Sequence, residues 1–205
     1  AIQNSTNKGI ILTNIFIKII LILSFGLVSL NASNTVKKEF NDTFDSIIEV
    51  VKDSTLTKEE RNKRIIDTIN PIFDFELMAK LSLGKTWKQL SKDTQEEFVS
   101  LYVKRMKNSY SAKIDGYADE KVIINDITQP KSTRMVFYTS LVGDNDSINI
   151  EYKYYKTKIK RDNKKVWLIY DVVIEGISIL KTDRAQFSAV LKRGSIESLM
   201  QKLRG

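Results

Sequence analysis

Ser147–Ile174 reads SINIEYKYYKTKIKRDNKKVWLIYDVVI, and its two halves set the fold class. In Ser147–Lys160 the period is two. Ile148, Ile150, Tyr152 and Tyr154 point one way and Glu151 and Lys153 the other, as in a strand with one solvated face. Arg161-Asp162-Asn163-Lys164 is a hairpin turn. Lys165–Ile174 follows with a near-continuous apolar run, VWLIYDVVI. Such a run marks a strand buried on both faces or a wall facing a cavity. Upstream, Lys121–Thr128 and Arg134–Val142 are two more strands, closed by turns at Gln129–Ser132 and Gly143–Asp146. The centre of the chain is therefore a four-strand antiparallel meander.

Outside the meander the period changes to that of helices. Phe40, Phe44, Ile47, Ile48 and Val51 predict an amphipathic helix over about 35–53. Thr57-Lys-Glu-Glu60 is a capping box that opens a second helix, with Ile65, Ile66 and Ile69 on one face. Asn70-Pro71 predicts a third helix with Pro at its first position. That helix carries Phe73, Phe75, Leu77, Met78 and Leu81 and stops at Gly84. Trp87 sits in a short helical turn, and Ser91 caps a long helix to about Ile114 bearing Phe98, Tyr102, Met106 and Tyr110. After the strands, Thr182 or Asp183 caps a helix with Phe187, Val190 and Leu191, and Ser195 caps a last one with Leu199 and Leu203. The fold class is α+β, with helices laid on one face of the sheet.

Composition narrows the chemistry. The chain has 205 residues, no histidine and no cysteine. Those two absences remove the commonest general base, the Ser-His-Asp triad, thiolate zinc sites and disulfides. The net charge is +8, which suits an anionic partner. Lys153–Arg161 interleaves lysines with aromatics, as single-strand nucleic-acid binders do. Its alternation is explained by the solvated face of a strand, so no nucleic-acid partner is expected. Leu83-Gly84-Lys85-Thr86 lacks the first glycine and the preceding strand of a phosphate loop and reads as a helix stop. Asp171 with Glu175, and Lys192 with Ser195, are explained by a turn and a cap without catalysis.

Ile10–Leu30 reads IILTNIFIKIILILSFGLVSL, with an uninterrupted apolar core from Ile19 and the small residues Asn31-Ala32-Ser33 after it. This predicts a signal peptide over 1–32 and one exported domain over 33–205. Retention of Ile10–Leu30 as an anchor is the alternative, although Asn14 and Lys18 make the span poorer.

The inward-facing bulk is large: Phe98, Tyr102, Met106 and Tyr110 on the long helix, and Val136, Tyr138, Ile150, Tyr152, Tyr154, Tyr170 and Val172 on the strands. Periodicity alone does not separate a filled core from a lined cavity.

Three segments resemble one known family. Phe75–Leu83 runs into Gly84-Lys-Thr-Trp87, followed by Ser91, Gln95, Phe98, Tyr102, Tyr110 and Tyr117. Trp167-Leu-Ile-Tyr170-Asp171-Val172-Val-Ile-Glu175-Gly176-Ile177-Ser178-Ile-Leu180 is the second segment. Arg184-Ala-Gln-Phe187, then Gly194-Ser195-Ile-Glu-Ser-Leu199, is the third. In this order they are similar to the MlaC family, the toluene-tolerance auxiliary and periplasmic phospholipid-binding proteins of the Mla lipid-transport system. Thr182-Asp183 and Ser195 depart from the family's pattern. The resemblance implies a twisted four-stranded antiparallel sheet wrapped by helices around a deep apolar cavity. It also implies a non-enzymatic periplasmic carrier without cofactor, whose cargo is phospholipid. Its implied partners are an outer-membrane lipoprotein–porin complex and an inner-membrane ABC transporter with an MCE-domain subunit, and its implied effect is the maintenance of outer-membrane lipid asymmetry. The expected pocket is drawn from Met78, Leu83, Trp87, Phe98, Tyr102, Met106, Tyr110, Val136, Tyr138, Ile150, Tyr152, Tyr170 and Val172. Two other readings stay open. One is an exported enzyme working through carboxylates alone. The other is a membrane-tethered scaffold with a filled core.

Overall fold

The computed structural model describes residues 33–114, 121–144, 146–161 and 164–204; the expected signal peptide and Tyr117 lie outside them. The chain divides into two compact units, Ala1–Asp42 and Thr43–Gly205. A helix, α1, covers 33–52, and its residues 43–52 belong to the second unit. There follow α2 (Lys58–Ile69), α3 (Phe75–Leu83), a 3-10 turn (Thr86–Gln89) and α4 (Lys92–Ile114). The strands are β1 (Lys121–Lys131), β2 (Arg134–Val142), β3 (Ser147–Arg161), β4 (Lys164–Ile174) and β5 (Ile177–Ser178), and α5 (Ile179–Leu191) and α6 (Ile196–Arg204) close the chain. The sheet is an antiparallel meander in the order β1-β2-β3-β4-β5. Four strands were expected. The fifth is a two-residue return made by the tight turn at Glu175 (φ 47°) and Gly176 (φ 77°). A left-handed angle suits Gly176, which has no Cβ to clash.

The capping box forms as its spacing requires. Thr57 Oγ1 accepts the Glu60 N–H at 3.3 Å, and Glu60 Oε2 accepts the Thr57 N–H at 2.9 Å. The backbone bond from Thr57, followed by its hydroxyl, holds the Glu60 carboxyl below the ordinary carboxylate value. That contribution to stability is complete above the ordinary value of 4.5 and is lost as pH falls through the lowered folded value. Thr57→Ala is expected to cost about 1 kcal/mol. Thermal melts should show this loss shrinking in acid, once Glu60 is protonated in the folded protein and no longer answers the cap.

Two helix starts differ from expectation, each because a side chain found a better partner. Pro71 does not open α3. Asp74 does, with Oδ1 accepting the Leu77 N–H at 2.8 Å. Residues 72–74 instead lie along β4: Ile169 N–H donates to Ile72 O at 2.8 Å and Asp74 N–H to Ile169 O at 2.9 Å. Similarly, α5 begins four residues before Asp183, capped by Ser178, whose Oγ accepts the Lys181 N–H at 3.0 Å. Thr182 only donates back to Ser178 O, and Asp183 is buried for another purpose.

The inward face of β2 is also the opposite of the expected one. Met135 and Phe137 are fully buried, whereas Tyr138 is 37% exposed. The stretch Met-Val-Phe-Tyr is apolar at both parities, so its own pattern is ambiguous. Pairing decides it: Phe137 sits opposite Tyr152 and Met135 opposite Tyr154, while Val136 and Tyr138 face Lys153 and Glu151. Residues paired across an antiparallel ladder share a face. On β4 the ladder shifts by one residue between its pairings to Lys153 and Tyr154. This lets Trp167, Leu168, Ile169, Val172 and Val173 all be buried, the two-sided burial that the apolar run suggested. Asp171, which points away from Val172, accepts from Ser178 Oγ at 2.8 Å and from Leu180 N–H at 3.1 Å at the start of α5.

Candidate functional site: an apolar cavity between helices and sheet

The helices build a packed core of their own. Met78, Ala79, Leu83, Trp87, Phe98, Tyr102, Met106, Phe187, Leu199 and Met200 form one buried cluster. Phe187 meets Phe98 and Tyr102 edge-on, with ring centroids 5.9 and 6.2 Å away, the geometry aromatic quadrupoles prefer. Tyr102 carries the cluster's polar handle. Its hydroxyl donates to Asp183 Oδ2 at 2.9 Å, and Arg105 Nη1 donates to Oδ1 at 2.8 Å.

Beside that core lies a cavity of about 210 Å³. α1 supplies Phe44, Ile47, Ile48 and Val51. The chain from the end of α2 to α3 supplies Ile69, Ile72, Phe73, Phe75 and Met78, and α4 supplies Met106. The sheet supplies Val122, Leu141, Ile148, Ile150, Tyr152, Val172 and Ile174. These strand residues share one face by register: Val122 opposes Leu141, Leu141 opposes Ile148, and Ile150 and Tyr152 oppose Ile174 and Val172. No charged side chain lines the space, and the single polar atom on any of these side chains is the Tyr152 hydroxyl. Phe44 closes on the Tyr152 ring edge-on at 5.6 Å. Such a wall offers burial without directional bonds, so it suits hydrocarbon and offers an ionised group nothing.

The expected residues divide among several environments. Met78, Met106, Ile150, Tyr152 and Val172 line the cavity. Leu83, Trp87, Phe98 and Tyr102 fill the helical core. Val136 and Tyr138 lie on the sheet's other face, opposite Lys153 and Glu151. Tyr170 stands under Arg134, whose Cζ lies 5.4 Å from its ring centroid, next to Tyr155. The side chain of Tyr110 lies outside the described residues. The α1 stripe, residues 69–75, and Val122, Leu141, Ile148 and Ile174 were not among the expected residues. Ile148 shares the alternation of Ile150 and Tyr152, and Phe44, Ile47, Ile48 and Val51 recur at helical spacing, so both groups carried a signal. Nothing local marked Ile72 and Phe73, because their place follows from the pairing with Ile169.

One polar clasp holds residues 72–74 beside the cavity. The Tyr155 hydroxyl donates to Asp74 Oδ2, the carboxylate that caps α3. Burial, and then the bond to Asp74, pushes the Tyr155 phenol above the ordinary 10.0. A raised phenol keeps its contribution to stability below pH 10 and loses it as pH rises further, because the unfolded chain ionises first. An alkaline titration followed by ultraviolet absorbance should show buried tyrosines ionising later than exposed phenols, and Tyr155→Phe should reduce that late step by one phenol.

Among the described residues no group of three or more acidic side chains could hold a metal ion. Among them, too, no helix is long and apolar enough to cross a membrane.

Comparison with known proteins agrees with this architecture. A family model described as MlaC protein matches residues 41–205. The chain is 22% identical over 144 residues to the "Intermembrane phospholipid transport system binding protein MlaC" of Haemophilus influenzae, covering 65% of this chain. It spans 62% of the length of that relative. The fold is similar to that of a phospholipid-binding protein from Ralstonia solanacearum, solved in complex with a phospholipid. The TM-score is 0.71 at 19% identity, covering 82% of this chain and 93% of that one.

Proposed function

Because the chain belongs to the MlaC family, we propose that it is a non-enzymatic phospholipid carrier whose acyl chains enter the cavity between α1, α3 and the sheet. The observation that carries this reading is the cavity wall itself, which is apolar on every side and presents no charge. Each acyl methylene taken from water into such a wall is worth about 0.8 kcal/mol. A carrier that binds by non-directional burial needs no catalytic group, and it selects the headgroup loosely. The fold's likeness to a protein solved with phospholipid supports the same reading. The protein works in the periplasm, exported by the segment over 1–32. There it moves lipid between an outer-membrane lipoprotein–porin complex and an inner-membrane ABC transporter with an MCE-domain subunit, and so maintains outer-membrane lipid asymmetry.

The test is mass spectrometry of the full chain after export expression, first native and then after solvent extraction, with an added-lipid arm for any apo protein. The carrier reading predicts diacyl phospholipid at near-unit stoichiometry, either co-purified or taken up from added vesicles. A chain that holds no lipid and takes up none contradicts it and returns the scaffold reading.

A further inference from the structure

A second recess, of about 340 Å³, opens between the end of α3 and α5. None of its lining residues lines the apolar cavity. Its chemistry is also the reverse. Lys85, Arg184 and Lys192 surround it, Thr86 and Ser188 add hydroxyls, and no acidic residue lines it.

These three cations are not spent on the protein. Among the described residues none of them forms an ion pair with a carboxylate, and Arg184 makes no side-chain hydrogen bond. The acid adjacent in sequence, Asp183, is buried and committed to Tyr102 and Arg105. The Arg184 side chain reaches the end of α3. Its guanidinium lies against Gly84, where a Cβ would come within 2.9 Å of Nη2 and 3.1 Å of Nε. Gly84 has φ 57°. The glycine therefore serves twice: its positive φ ends α3, and its missing Cβ leaves room for the guanidinium. A guanidinium presents a planar fork that matches two oxygens of one anion, and the flanking ammonium groups add charge without fixed direction.

We infer that this recess is a phosphate-binding site, taking the phosphate of a lipid headgroup at a membrane surface or free phosphate, apart from the acyl-chain cavity. Several donors converge with no competing carboxylate, which suits an anion with several acceptor oxygens. The site's charge is independent of whether the apolar cavity carries lipid, so the two readings fail separately.

The experiment uses the full chain and R184Q/K192Q, with K85Q/K192Q as a second variant. All the changed side chains are exposed, so each variant should keep the wild-type melting temperature. In one arm, inorganic phosphate is titrated while the backbone amide signals of Gly84, Lys85, Thr86 and Ser188 are followed, with chloride at equal ionic strength as the control. In the other, co-sedimentation is measured with phosphatidylcholine vesicles containing or lacking phosphatidylglycerol. The inference expects saturable shifts at those amides and at least a tenfold weakening in R184Q/K192Q. Loss of binding to anionic vesicles in the same variant identifies the headgroup as the source. Phosphate shifts without variant-sensitive vesicle binding identify free phosphate. Amides that ignore phosphate, variants that bind like the wild type, or saturation by an acidic peptide but not by phosphate would each overturn it.

Discussion

Val172→Trp is expected to lower phospholipid loading at least tenfold while the protein remains folded. Val172 is 7% exposed, pairs with Tyr152 across β3 and β4, and lines the cavity. An indole there occupies the space that hydrocarbon would enter. Overpacking a filled core costs about 1–3 kcal/mol, but here the added bulk has a cavity to enter, so the melting temperature should move little. Val136→Trp is the matched control. Val136 lies on the other sheet face, opposite Lys153, and its enlargement should leave loading unchanged. Lipid extraction from the two purified variants separates them. Equal loading in Val172→Trp and wild type would remove the cavity from the account, and a loss in Val136→Trp would reverse the face assignment.

Asp183→Ala is expected to destabilise the helical core strongly. Asp183 is buried and accepts from Tyr102 and Arg105. Removing it leaves a buried hydroxyl and a guanidinium without their acceptor. Breaking a buried pair costs about 3–5 kcal/mol. The Arg105 side chain is 32% exposed, so solvent recovers part of that loss and the lower end applies. At about 2–4 °C per kcal/mol for a domain of this size, the melting temperature should fall by roughly 6–12 °C. Tyr102→Phe removes one donor and leaves Asp183 paired with Arg105, so it should cost about 1 kcal/mol. Thermal melts that show equal losses for the two variants would mean that the Arg105 bond contributes nothing.

The meander was legible because β3 alternates cleanly, with Ile148, Ile150, Tyr152 and Tyr154 against Glu151 and Lys153. Such a pattern fits only one face. The capping box at Thr57 and Glu60 was legible for a similar reason: its partners are three residues apart. What the sequence hid depends on distant partners. Pro71 looks like a helix start until Ile169 claims the backbone of Ile72 and Asp74. Asp183 looks like a cap until Tyr102 and Arg105, some eighty residues away, bury it. Met135–Tyr138 is apolar at every position, so its face was set by the register with Tyr152 and Tyr154. The site was legible in the same uneven way. Large apolar residues could be named, but Trp87, Phe98 and Tyr102 fill a core while Ile150, Tyr152 and Val172 border a space. That difference depends on which helix lies opposite, and periodicity within one element does not contain it.

The central claim is that acyl chains occupy the cavity between α1 and the sheet. It is tested most directly by loading the full chain with a phospholipid that carries a photoreactive group along one acyl chain, irradiating, and mapping the adducts by peptide mass spectrometry. The account predicts adducts concentrated on Phe44–Val51, Met78, Ile150–Tyr152 and Val172–Ile174, and their loss in Val172→Trp. Adducts confined to Trp87, Phe98 and Phe187, or to the recess around Arg184, would contradict it.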